Sequence, residues 1–432
     1  MGVPNVQKRR HVAWAAQKVV AFSLLAAVLV FILLIQDPSP HPARISAVTR
    51  PYAFDLVAWQ ARGLLGEVRP LLSIVIGNGV LDDANSPNEL AKVERYFAAA
   101  DEEAWLSSKV RWEAAQQDHQ SLPQDAQQLS ALVEERASLR TQVEAVLEKQ
   151  ISGVLAHAGL AAKPFFAPTK IVVFPPVSFR FEQLPRVLIV SPRDRIAVIS
   201  SVMLRPDIAP AEIEDVERSL RSMGLAGLVV PIGGLATYPA MVPESYSLQD
   251  TIEAAAHEWV HAYFFFQPLG QAYWGSYEAR SINETAADLL GKEIAAQVLK
   301  LYPSPTQQQA REPYPDPSKP KPDPSVDFNK EMRDTRLMVD ELLKQDKVDE
   351  AEAFMDQKQQ FLADHGYTIR KINQAYFAFY GSYAEGPGVV SPLPGKLKSL
   401  REKVGSLGEF MKLVSQVTSL NQLDKTLAER QR

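Results

Sequence analysis

The stretch SLQDTIEAAAHEWVHAYFFF, residues 247–266, carries His257-Glu258-Trp259-Val260-His261 on what reads as one continuous helix. Ser247 can cap its start, and Asp250, three residues on, can reach back as in a capping box. Ile252, Ala256, Trp259, Val260 and Phe264 supply an apolar stripe at helical spacing. Four residues turn a helix through about 400°, so the two imidazoles point the same way, one turn apart. That is a geometry for two nitrogen ligands on one Zn²⁺. Glu258 is turned by about 100° from them, off the metal but near a water held beside it, whose proton it can take.

Two neutral histidines leave a tetrahedral zinc one protein ligand short if a position is to stay open for water. The segment SINETAADLLG, residues 281–291, reads as a second helix with acids four residues apart. Glu284 can complete a His₂Glu site, and Asp288, one turn on, can accept the free ring N–H of a ligating histidine. Together the two segments resemble the gluzincin, thermolysin-like zinc peptidases, with their HExxH and downstream N-E-x-x-x-D-like helix; the resemblance is confined to 257–288. It implies His257, His261 and Glu284 as zinc ligands, Glu258 as general base and Asp288 as the acid behind a ligand. The function it implies is zinc-dependent hydrolysis of a peptide or protein substrate. The metzincin signature is excluded, because it needs Gly and His where the chain has Phe264 and Gln267.

Upstream, 170–174, 177–181, 186–190, 196–203 and 226–231 are β-rich runs punctuated by prolines, with an amphipathic helix over 210–223. Sheet before zinc helix agrees with the resemblance, which implies that 235–242 is an edge strand along which substrate lies. Pro239 fits an edge. Downstream, zinc hydrolysis needs a further donor for the tetrahedral oxyanion, which the resemblance places in the helical part after the zinc helices. Tyr376, Tyr380, Tyr383 and His365 are the candidates, each weighed against the plainer role of packing a helix on the core.

Around this centre, 86–117 and 129–155 read as a long helical hairpin, with Ser86-Pro87-Asn88-Glu89 marking its start. Residues 332–343 and 348–364 read as a second hairpin, and 397–427 as amphipathic helix with a glycine break. Residues 303–327 are Pro-rich loop. Lys8, Arg9, Arg10 and Lys18 precede the apolar run 19–35, in which Ser23 is the single polar side chain. At 1.5 Å per residue it reaches about 25 Å, enough to span a membrane if flanking residues snorkel. A cleaved signal peptide is the rival reading, but no small-x-small site follows.

The expected fold is therefore α+β: a mixed sheet followed by zinc-binding helices, with an N-terminal helical hairpin and a C-terminal helical subdomain, behind one transmembrane helix. The expected divisions are 1–18 basic and cytoplasmic, 19–35 anchor, 36–51 linker, 52–162 helical, 163–302 catalytic, 303–327 loop and 328–432 helical. The anchor implies a single-pass cell-membrane protein with its N-terminus cytoplasmic and its catalytic domain outside. The chain has no cysteine, which excludes disulfides, thiolate metal ligands and a cysteine nucleophile. A net charge of −5 and the lack of a basic stripe give no expectation of nucleic acid. The alternative from another class is a membrane-tethered scaffold with a structural or vestigial zinc site, which a fourth side chain closing the site would favour.

Overall fold

The computed structural model describes residues 43–60, 86–115, 122–162, 172–303, 321–381, 386, 388 and 390–430. Part of the expected 36–51 linker is helix α1 (Ala43–Thr49). Ile45 is buried on a sheet face, and the following chain joins that sheet, Phe54 donating its N–H to the Met203 carbonyl. One apolar residue on the buried face and a free sheet edge beside it override the linker-like composition.

The hairpin forms as expected from α2 (Pro87–Ala115) and α3 (Leu122–His157). Ser86 Oγ accepts from the Glu89 N–H at 3.3 Å, and Tyr96 and Phe97 pack against Val143, Val146 and Leu147. The hairpin is not a free arm: its apolar stripe belongs to the same core as the helices that carry the histidines.

Short strands β1 (Ala161–Ala162) and β2 (Val172–Val173) pair antiparallel. Then follow β3 (Phe179–Glu182), β4 (Arg186–Pro192), β5 (Ser200–Leu204), α4 (Pro210–Ser222), β6 (Leu225–Pro231) and β7 (Ala240–Pro243). Among the described residues the expected mixed sheet does not form. The described strands make separate sheets, antiparallel β5-β4-β6, parallel β3-β7 and the β1-β2 pair. In β4, Leu188 and Val190 face α1 and α4, whereas Val187 and Ile189 face the opposite layer. Burial on both faces is why β4 reads as a continuous apolar run.

The helices that carry the histidines and Glu284 are α5 (Leu248–Phe265) and, after the one-turn α6 (Pro268–Gln271), α7 (Tyr277–Leu301). Ile252, Val260 and Phe264 of α5 are fully buried, each contributing about 1.5–3 kcal/mol. Beyond 321 come α8 (Phe328–Lys344), α9 (Val348–Asp364), α10 (Gln374–Tyr380), α11 (Leu393–Glu402), α12 (Leu407–Val414) and α13 (Leu420–Glu429). The stretch expected as one C-terminal subdomain divides between two cores. α8–α10 cover the second face of the three-stranded sheet, while α11–α13 return to pack with α5 and α7.

The transmembrane helix is corrected as well. Among the described residues no helix is long and apolar enough to cross a membrane, and 19–35 lie outside the described residues. The single-pass topology, and the membrane localisation drawn from it, are therefore not carried forward.

Candidate metal centre

Helix α5 starts where Ser247 Oγ accepts the Asp250 N–H, and it carries Trp259 to donate its indole N–H to the Pro175 carbonyl at 2.7 Å. Helix α7 starts at Ser276, which caps the Ala279 N–H. The two helices approach closely because α7 presents small residues. A Cβ on Gly291 would stand 3.0 Å from the Glu253 carbonyl oxygen and 3.3 Å from His257 Cβ.

This approach brings three ligand atoms together. His257 Nε2 and His261 Nε2 are 2.9 Å apart, and Glu284 Oε2 lies 3.8 Å and 3.5 Å from them. Ligand atoms around a four-coordinate metal with bonds of about 2.0–2.2 Å sit about 3.3–3.6 Å from one another. The observed sides of 2.9, 3.5 and 3.8 Å straddle that range, and the group His257, His261 and Glu284 could hold a metal ion.

The remaining ring nitrogens fix the tautomers. His257 Nδ1 lies 3.1 Å from Asp288 Oδ1, and His261 Nδ1 lies 2.6 Å from Asn283 Oδ1. Both partners accept, so each Nδ1 carries the proton and each Nε2 presents a lone pair. Two imidazole nitrogens and a carboxylate facing one another are a donor set that could hold a cation.

The surrounding carboxylates draw positive charge to both rings, as a proton or as a metal ion. Burial would lower the His257 pKa, but Asp288 and Glu284 raise it well above the ordinary value. His261 is raised too, Glu284 outweighing burial. Burial would raise Glu284, yet the two histidines hold it well below the usual carboxylate range.

Glu258 is buried on the adjacent face of α5, and burial raises its pKa. Its carboxyl lies over Gly234, where a Cβ would be 2.1 Å from Oε1. The trio and Glu258 open on a cleft of about 1460 Å³. One wall is α5 and α7; the other is the sheet face bearing Val187, Ile189 and Met203, with Phe379 and Tyr380 of α10.

Of the oxyanion candidates, the structure brings only Tyr380 into this cleft among the described residues. Tyr376 is buried beneath it, the ring centres 4.6 Å apart. His365 stands at the far end of α9, its Nδ1 donating to the Phe361 carbonyl at 2.7 Å. That local bond at a helix end removes His365 from the site. Tyr383 lies outside the described residues. The expected substrate edge is also different. Met241 of β7 exchanges hydrogen bonds with Leu235 on one side, and β3 takes the other. The chain that reaches the cleft beside Glu258 is instead Gly233–Gly234–Leu235–Ala236.

Two residues escaped the sequence reading. Tyr273 donates its hydroxyl to Glu284 Oε1 at 2.5 Å, fixing that carboxylate, and Asn283 orients His261. Asn283 precedes Glu284 within the quoted motif and was there to be read; Tyr273 sits on irregular chain between helices, where periodicity is silent.

No protein-family model matches the chain, and no curated protein or solved structure matches it.

Proposed function

We propose that the protein is a zinc-dependent peptidase that hydrolyses peptide bonds with water, His257, His261 and Glu284 holding the zinc. The observation that carries this reading is the convergence of three acceptor atoms, with Glu258 one residue along, on the wall of a cleft large enough for a peptide. Two imidazoles and one carboxylate suit zinc, and three protein ligands leave a position open, the arrangement of catalytic sites. The gluzincin resemblance supports the same assignment. Zinc supplies Lewis acidity, polarising a carbonyl and making water acidic near neutrality.

The chain's own residues do the rest. Glu258, carried by α5 and confined by Gly234, takes a proton from the attacking water and delivers it to the leaving amine. Burial raises its pKa, which strengthens it as the acceptor of that proton. Asp288, Asn283 and Tyr273 hold the ligands in register. Tyr380, which lines the opposite wall of the same cleft, would donate to the oxyanion. Among the described residues no fourth acidic or histidine side chain joins the trio, which counts against a structural site.

The test is metal content and peptide cleavage on the full chain. One zinc per chain, lost in Glu284→Ala but kept in Glu258→Gln, with cleavage abolished in both, is the expected result. Zinc bound at one per chain with no cleavage of any peptide library would overturn the peptidase reading.

A further inference from the structure

The cleft contains a cation that the chemistry above does not use. Arg280 lies on α7 one turn before Glu284 and lines the cleft. Its guanidinium is 5.3 Å from the ring centre of Tyr273 and 5.3 Å from that of Trp274. Among the described residues no acceptor receives a hydrogen bond from this side chain, and its Nε is buried without a partner. Other arginines that pack between elements are answered: Arg193 grips Glu352, Arg370 grips Glu217 and Arg401 grips Glu293. Arg280 also stands in the first turn of α7, where a cation opposes the helix dipole. Both deficits are met by one event, the arrival of an anion.

We propose that Arg280 receives a carboxylate of the substrate, placed one or two residues from the bond that is cleaved. The proposal rests on the peptidase reading and names the substrate class. The spacing follows from the helix: four residues rise about 6 Å, which an extended peptide covers in about two residues. A guanidinium fork binds a carboxylate by two parallel hydrogen bonds. Flanking rings hold the fork in place. The carboxylate has two possible sources, the peptide C-terminus or an aspartate or glutamate side chain.

The experiment is calorimetric binding to zinc-loaded full-length Glu258→Gln protein, so that nothing turns over. The probes are short N-acetylated peptides: one with a free C-terminus, its amide, and amides carrying an internal Glu or Gln. The expected result is that one carboxylate peptide binds at least ten-fold tighter than its neutral counterpart. That preference should vanish with Arg280→Gln and survive in part with Arg280→Lys, zinc remaining at one per chain. Preference for the free C-terminus over the amide assigns a carboxypeptidase-like mode; preference for Glu over Gln assigns an acidic side chain. Equal binding of charged and neutral peptides, or a preference that persists in Arg280→Gln, overturns the proposal. Failure of every peptide to bind the zinc-loaded protein overturns the peptidase reading and this inference with it.

Discussion

Gly234 and Glu258 are a matched pair, and the match can be tested by one methyl group. A Cβ at 234 would stand 2.1 Å from Glu258 Oε1, so Gly234→Ala must displace the carboxylate. Displacing a reacting group by about 1 Å costs on the order of 100-fold in rate. We expect Gly234→Ala to lower kcat/KM by about that factor with zinc content unchanged; wild-type turnover would show that Glu258 is not the base. Asp288 acts one step further out, through the His257 ring. Asp288→Ala should weaken zinc about 10–100-fold, read from competition with a chelator, and Asp288→Asn should recover part of it. At this scale the convergence of the candidate trio was legible because a helix repeats: positions 257 and 261 must share a face, and 284 and 288 likewise. Tyr273 and Arg280 were not, since their meeting depends on the irregular turn between α6 and α7. His365 was misjudged for a related reason, as nothing in its own segment says which end of a hairpin faces the cleft.

Among the elements, the joint between α3 and β3 makes a prediction about pH. Glu144 and Glu148, one turn apart on α3, accept the N–H groups of Phe181 and Phe179, each at 2.9 Å. Burial raises Glu144 to about 7 and Glu148 to about 8. A carboxyl whose folded value lies above its ordinary 4.5 binds its proton more tightly in the folded state. Its stabilising effect is full below that ordinary value and is lost as pH rises through about 7 to 8. Arg180, whose Nη1 lies 3.1 Å from Glu148 Oε1 and 3.8 Å from Glu144 Oε2, opposes part of this rise, and the wild type should be less stable in alkaline than in mildly acidic solution. Thermal melts across that range should show a falling Tm, and Glu144→Gln with Glu148→Gln should flatten the curve. A wild-type Tm that rises with pH would refute the linkage. Element type was readable along most of the chain, where caps and period agree, as at Ser86 and Ser247. Strand pairing was not, because β3 meets β7 across more than fifty intervening residues, a distance at which local pattern carries no register.

At the scale of the whole molecule, the cleft lies between two cores that share few side chains. One holds α5, α7, the hairpin and α11–α13; the other holds the sheet and α8–α10. Glu217 of α4 fastens the second, accepting from Arg370, Lys371 and the Val229 N–H. Glu217→Ala strands a buried donor, at a cost of about 1–3 kcal/mol, and frees the segment that leads into α10. Denaturant melts should show that loss; peptide cleavage should fall as Tyr380 loses its position, while zinc content stays whole. The glutamates of α3 have one more consequence at this scale. A small two-stranded parallel sheet ordinarily leaves both flanks as templates for a foreign chain. Here carboxyl groups occupy one flank and Leu235 the other, so this sheet is shielded against polymerisation, and any extended chain that entered the cleft would be held by side chains rather than by joining that sheet.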